Sequence, residues 1–303
     1  MKIALVGIGK IARDQHVPSI TASPDWALAA TCSRAGHIDG IPAYTDLEDM
    51  MSAHPDIQVV SLCMPPVPRY EFARKVIAAG RHVMLEKPPG VTLSECHALE
   101  DMARAAGVSI FATWHSREAA RVSAARDWLQ DKEITKTHIT WREDVRTWHP
   151  NQDWVFEPGG MGVMDPGINA LSVMTKILPS PVHLLGAELE FPANRQMPIA
   201  VQLQFTGNTT ADFDWRQTGP QTWDVEVWTT AGKLHLTQGG AHMTIDGKDA
   251  GHDPAIAGEY PALYAQMADL VARGASEMDV SPLRHVADAF MLGKRVQVEA
   301  FDW

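Results

Sequence analysis

The chain begins with a short apolar run, Lys2–Val6, that passes directly into Gly7-Ile8-Gly9-Lys10-Ile11-Ala12. A G-x-G-x-x-A spacing between a strand and a helix leaves bare backbone N–H groups where a pyrophosphate can approach, and it belongs to βαβ units. Four more apolar runs follow at suitable intervals: Ala27–Cys32, Val59–Cys63, His82–Glu86 and Ser109–Thr113. Each has the near-continuous apolar character of a parallel strand buried on both faces. Helical patterns separate them, Arg69–Ala79 stopping at Gly80 and Leu93–Ala106 stopping at Gly107. The alternation predicts a Rossmann-type, doubly wound parallel sheet over residues 1–117, an α/β fold.

Beyond Arg117 the texture changes. An amphipathic helix near Glu118–Gln130 is followed by period-two segments at Thr137–Glu143, Ala200–Phe205, Ala211–Trp215, Thr222–Thr229, Lys233–Thr237 and His242–Ile245. One long helix is expected around Gly162–Leu178, and two more near Tyr260–Arg273 and Pro282–Leu292. Residues 118–303 therefore read as a C-terminal α+β domain on an open, mostly antiparallel sheet. A length of 303 residues suits this two-domain division.

The net charge of −11 argues against nucleic acid or an anionic membrane as partner, since either favours a basic face. Cys32, Cys63 and Cys96 lie far apart, which suggests neither a disulfide framework nor a zinc site and points to a reducing compartment. The run IALVGIG is too short to span a membrane and lacks a signal-cleavage region, so a cytoplasmic location is expected. With no HxH or CxxC spacing and no G-x-S-x-G, neither a metal centre nor a serine hydrolase is indicated.

The second strand ends in Thr31-Cys32-Ser33-Arg34, where an NAD-specific site would place a carboxylate against the ribose 2′-hydroxyl. A hydroxyl and a guanidinium suit a 2′-phosphate instead, which makes NADP the expected cofactor and leaves NAD open; alternatively, Arg34 stacks on adenine or lies in solvent. Two further strand ends point to the same crevice. Cys63-Met64-Pro65-Pro66 is a rigid turn suited to a nicotinamide ribose, and Glu86-Lys87-Pro88-Pro89 carries a lysine towards the ligand. The candidate cofactor contacts are Gly7, Gly9, Lys10, Ile11, Ser33, Arg34, Cys63, Pro65, Pro66, Glu86 and Lys87, together with Trp114 and Trp154.

The stretch VMDPGINALSVM at 163–174 sets Asp165 and Asn169 four residues apart in an apolar segment. On a helix that spacing stacks both groups on one face, where burial is costly unless something satisfies them. Asp165 could simply cap the helix, with Pro166 at its first position, but a cap does not explain Asn169. Five of the ten tryptophans, Trp114, Trp128, Trp141, Trp148 and Trp154, fall in one short region; Trp128 reads as core. Aromatic faces suit the C–H face of a pyranose, and Glu143, His115 and His149 could bind its hydroxyls.

GxGxxA at 7–12, CMPP at 63–66, EKP at 86–88 and Gly159-Gly160 followed by Asp165 and Asn169 resemble the glucose–fructose oxidoreductase, inositol dehydrogenase and rhizopine-catabolism (Gfo/Idh/MocA) family. The likeness covers essentially the whole chain. AlaThrTrpHisSerArg at 112–117, EDVRTWHP at 143–150 and DPGINALS at 165–172 are similar to the bacterial group that oxidises L-arabinose and D-galactose at C1. The resemblance implies oxidation of a free aldose to its lactone, with Lys87, Asp165 and Asn169 catalytic. The expected sugar contacts are Lys87, His115, Glu143, Trp148, His149, Asp165, Asn169 and Trp223; the resemblance further implies a helix opening at Gly159-Gly160 and a homodimer through the C-terminal sheet. Many members carry Asp and His where this chain has Asp165 and Asn169, and an amide cannot act as a base. Lys87 and Asp165 are then the groups expected to share the proton. Two alternatives are a catalytically silent sugar or nucleotide sensor and an oxidoreductase for another polyol or dihydrodiol.

Overall fold

In the computed structural model, which describes residues 1–251 and 258–303, β1 (Lys2–Val6) lies inside a six-stranded parallel sheet. With β2 (Ala27–Cys32), β3 (Ala43–Tyr44), β4 (Val59–Leu62), β5 (His82–Leu85) and β6 (Ile110–Ala112), the order is β3-β2-β1-β4-β5-β6. The order reverses between β1 and β4, the switch point at whose carboxyl side such sheets bind ligands. The crossover helices are α1 (Val17–Ala22), α2 (Leu47–Ala53), α3 (Pro66–Ala78) and α4 (Leu93–Ala106). Thr92 caps α4 in a capping box with Glu95, and Gly107 closes it in the left-handed conformation at φ 67°.

The described residues form two compact units. The first holds Met1–His115 and also the later segment, up to Val280, that carries α8 (Glu259–Arg273). A single boundary at 117 misses this return. It occurs because Tyr260, Leu263, Tyr264, Met267 and Leu270 of α8 join Ile3, Leu5, Ile20, Trp26 and Phe111 in one apolar core.

The second unit runs from Ser116 and includes Ser281–Trp303. Its nine-stranded sheet comprises β7 (Ile134–Arg142), β8 (Leu184–Pro192), β9 (Ala200–Phe205), β10 (Thr209–Asp214), β11 (Thr222–Thr229), β12 (Gly232–Thr237), β13 (His242–Ile245), β14 (Lys248–Asp249) and β15 (Lys294–Val298). The order is β14-β13-β12-β11-β7-β10-β9-β8-β15. Most pairs are antiparallel, but β7–β10 and β8–β15 are parallel, so the sheet is mixed. The strands β8, β14 and β15 were not anticipated. In β8 only Leu184, Leu189 and Pro192 are fully buried, which hides its alternation. Helices α5 (Val122–Leu129), α7 (Met164–Ile177) and α9 (Ser281–Leu292) belong to the same unit, as does the short turn α6 (Val145–Trp148).

Candidate functional site

In the first unit, β1 delivers Gly7 in a conformation, φ +89°, that side-chain-bearing residues rarely adopt. A Cβ there would also fall 2.6 Å from Met64 N, so only glycine permits the close approach of the loop to the turn after β4. At Gly9 a Cβ would meet nothing within 4 Å, leaving the backbone open to a ligand. The chain then becomes helical, with a π-helical turn at Ala12–His16 before α1. Ser33 accepts hydrogen bonds from Ile8 N and Ala35 N, both at 3.2 Å, and so ties the end of β2 to the glycine loop. Arg34 and Ile11 are exposed beside it, and Arg34 has no hydrogen bond or ion pair among the described residues. Lys10 is paired with Asp14 on the surface. These features fit a dinucleotide: a glycine loop with open backbone and, beside it, the exposed guanidinium of Arg34.

The turns after β4 and β5 are stapled together. Arg69, nearly fully buried, donates from Nη1 to Glu86 O at 2.5 Å and to Pro88 O, and from Nη2 to Met64 O. This arginine's part leaves no mark in the residue pattern, because its partners are backbone carbonyls. Cys63 is buried, Pro65 is exposed and Pro66 opens α3. Lys87 is half-buried. Glu86, expected at the cofactor, instead turns its carboxylate inward, where it accepts from Lys87 N (2.8 Å) and Tyr260 Oη (2.8 Å) and meets His16 Nε2 at 3.0 Å. Burial pushes its pKa up, but hydrogen bonds and charge from His16 outweigh that and hold it at about 2. Trp114, also expected at the cofactor, is 3% exposed and donates its indole N–H to Asp279 O: it is core. His115 pairs with Glu259 at 2.6 Å and stacks on Tyr260.

In the second unit, α7 carries the DPGIN motif. Its cap position is Val163, with no side-chain cap, so Asp165 lies within the first turn and is not the N-cap. Nor does the helix open at Gly159-Gly160: a Cβ at Gly160 would lie 2.1 Å from Trp154 O, so these glycines form a bend packed on the preceding turn. Asp165 is 5% exposed, and its Oδ2 stands 3.3 Å from His149 Nε2. One turn on, Asn169 is half-buried, and its amide has no hydrogen bond among the described residues.

The sheet supplies the rest. Trp141 and Glu143 are two residues apart on one strand path and share the face of Trp223, Phe213 and Trp215 through the β7–β11 and β7–β10 registers. Glu143 Oε1 accepts from Trp215 Nε1 (3.1 Å) and its Oε2 from Trp223 Nε1 (3.0 Å), which fixes a buried carboxylate between two indoles. Asp144 caps α6 through Arg146 N, and α6 ends beside His149. Trp148 is 41% exposed and tilts over Trp223 at 5.7 Å, while Trp223 contacts buried Trp141 at 6.1 Å. Trp154, expected at the cofactor, belongs to this unit: its indole and His149 Nδ1 share Gln152 Oε1, at 3.2 and 3.4 Å. Trp128, read as core, is only half-buried beneath Lys132. Trp215, fully buried, packs edge-on to His149 and was not foreseen.

The family model for the oxidoreductase family with an NAD-binding Rossmann fold matches residues 1–113. A galactose 1-dehydrogenase of Pseudomonas fluorescens is 37% identical, over 99% of this chain and 98% of its own. The crystal structure of a D-galactose-1-dehydrogenase from Rhizobium etli superposes with a TM-score of 0.94 at 53% identity, covering 99% of this chain and 97% of that one. A 3-ketoreductase from Actinomadura kijaniata, solved with NADP and a TDP derivative, shares the fold at a TM-score of 0.83 and 17% identity. The parallel sheet and its glycine cradle thus define an NAD(P)-dependent oxidoreductase of the Rossmann class. Within that class, the chain belongs to the Gfo/Idh/MocA family.

Proposed function

We propose that this protein oxidises D-galactose and L-arabinose at C1 to their lactones, using NADP in preference to NAD. The observation that carries the reading is Asp165: a buried carboxylate in the first turn of α7 that does not cap its helix, faces His149 and precedes the uncommitted amide of Asn169. A silent sensor has no need of a proton acceptor there. The identity to the Rhizobium etli and Pseudomonas fluorescens proteins supports galactose as substrate.

When bound, the dinucleotide supplies the hydride acceptor. The chain's own residues must bind the sugar, orient C1 and take the proton from its hydroxyl. Asp165 and Lys87 share that proton, and His149 backs the Asp165 carboxylate. Asn169 holds a hydroxyl through its amide, which both donates and accepts. Glu143, fixed by two indole donors, reads ring hydroxyls, and Trp148 and Trp223 offer aromatic faces to the sugar's C–H groups. Ser33 and Arg34 take the 2′-phosphate of NADP.

L-Arabinose and D-galactose share ring configuration as pyranoses and differ by the hydroxymethyl on C5, so one pocket accepts both. D-Glucose, the C4 epimer of galactose, leaves buried polar groups unpaired and should be much poorer. No helix among the described residues is long and apolar enough to cross a membrane. The three cysteines are buried and free, which suits a reducing cytoplasm. We further propose a homodimer through the sheet face carrying Arg142, Asp212, Asp214 and Gln202, whose side chains alternate with core residues. Initial rates of nucleotide reduction with the three sugars and both cofactors, with NMR of the first product, test the reading. Rapid galactose turnover to a lactone supports it, and equal turnover of glucose would remove the hydroxyl readout.

A further inference from the structure

The side chains of Glu86 and His16 lie buried at the end of β5 and behind the glycine loop. Glu86 is 5% exposed and His16 is fully buried. Removing two charges from water is costly, and an apolar pair of similar volume is often as stable, so their presence calls for a reason beyond stability. The carboxylate is acceptor-only when ionised, so His16 Nε2 is the donor across their 3.0 Å contact. His16 Nδ1 meets Tyr264 Oη at 2.7 Å, and Tyr260 Oη donates to the same carboxylate oxygen that His16 meets. The other carboxylate oxygen accepts the backbone N–H of Lys87. His16 ends the π-helical turn that follows the glycine loop, a local widening of the helix of the kind found at functional sites.

We propose that the buried Glu86–His16 pair, braced by Tyr260 and Tyr264, fixes the Lys87 turn to the helix behind the glycine loop, so that both are positioning residues for Lys87. The proposal rests on the reading of Lys87 as a catalytic group. Glu86 acts through the backbone of Lys87 from one side, and Arg69 holds Glu86 O and Pro88 O from the other.

The test is Glu86→Gln in the parent and in a Lys87→Met background, followed by kcat, sugar KM, and NADP affinity from nucleotide fluorescence. In the parent, kcat should fall about tenfold or more, as for a misplaced reacting group, while KM and NADP affinity stay within about threefold. In the Lys87→Met background the same change should cost no further turnover. Tyr260→Phe, which deletes one donor and keeps the ring, should show the same pattern more weakly and decides the matter if Glu86→Gln does not fold. Unchanged kcat, or an equal loss in both backgrounds, would overturn the positioning role. Parental turnover in Lys87→Met alone would instead overturn the reading of Lys87.

Discussion

His149 Nε2 stands 3.3 Å from Asp165 Oδ2, joining the end of α6 to the first turn of α7. The same imidazole lies edge-on to Trp215, whose indole holds Glu143. The two buried carboxylates are thus linked through one histidine and one tryptophan. His149→Asn should lower kcat with galactose by about tenfold or more, because a buried carboxylate that loses one partner costs on the order of 1–3 kcal/mol. Steady-state kinetics check this, and a change confined to KM would reduce His149 to sugar binding.

Gly167 seats this turn on the sheet, since a Cβ there would lie 2.4 Å from Phe213 Cδ2. Alanine in place of a mid-helix glycine gains about 1 kcal/mol of helix propensity. Overpacking at that distance costs up to about 3 kcal/mol and should win. Gly167→Ala is therefore expected to be destabilised in urea, with partial recovery on adding Phe213→Leu; an unchanged midpoint would show that the ring moves aside freely.

Arg34 gives a cofactor test. A charge-assisted contact to the 2′-phosphate is worth roughly 1.5–3 kcal/mol. Arg34→Ala should raise the KM for NADP far more than that for NAD. Equal changes would show that it does not read the phosphate.

The parallel sheet was legible because buried strands leave continuous apolar runs and the glycine loop has a fixed spacing; β1, β2 and α4 fall at the expected residues. The return of α8 was not legible, because the helix pattern of 260–273 records an apolar stripe and not the sheet it covers. Asp165 stands out in the sequence as a polar residue in an apolar segment, yet the cap reading misses by two residues of helix register, because the helix is capped at Val163. The nearness of Asp165 to His149 lay beyond the reach of spacing, as the two are brought together by a bend at Gly159-Gly160 and Gly162. The inward turn of the Glu86 carboxylate shows the same limit: a strand end gives position, not the direction of a side chain.

The pH dependence of stability follows from Glu86. Its folded pKa of about 2 lies below the ordinary value of 4.5, so its contribution is fully present above that value and is lost as pH falls through the folded pKa. For His16, burial lowers the pKa, but Cys63, Tyr264 and Glu86 raise it well above 6.5; its contribution holds below 6.5 and is lost as pH climbs through the raised pKa. Glu86→Gln should therefore be less stable than the parent at neutral pH, on the order of 3 kcal/mol, with the gap closing between about pH 4.5 and 2. Urea denaturation across that range checks the sign, and a constant gap would contradict it.

The most direct measurement is the turnover of Asp165→Asn with galactose and NADP. The amide keeps the shape of the side chain and removes its charge and basicity, and the N-cap position belongs to Val163, not to Asp165. A fall in kcat of roughly a hundredfold or more, with thermal stability and NADP affinity close to the parent, is expected if Asp165 takes the C1 proton. Near-parental kcat would contradict that role.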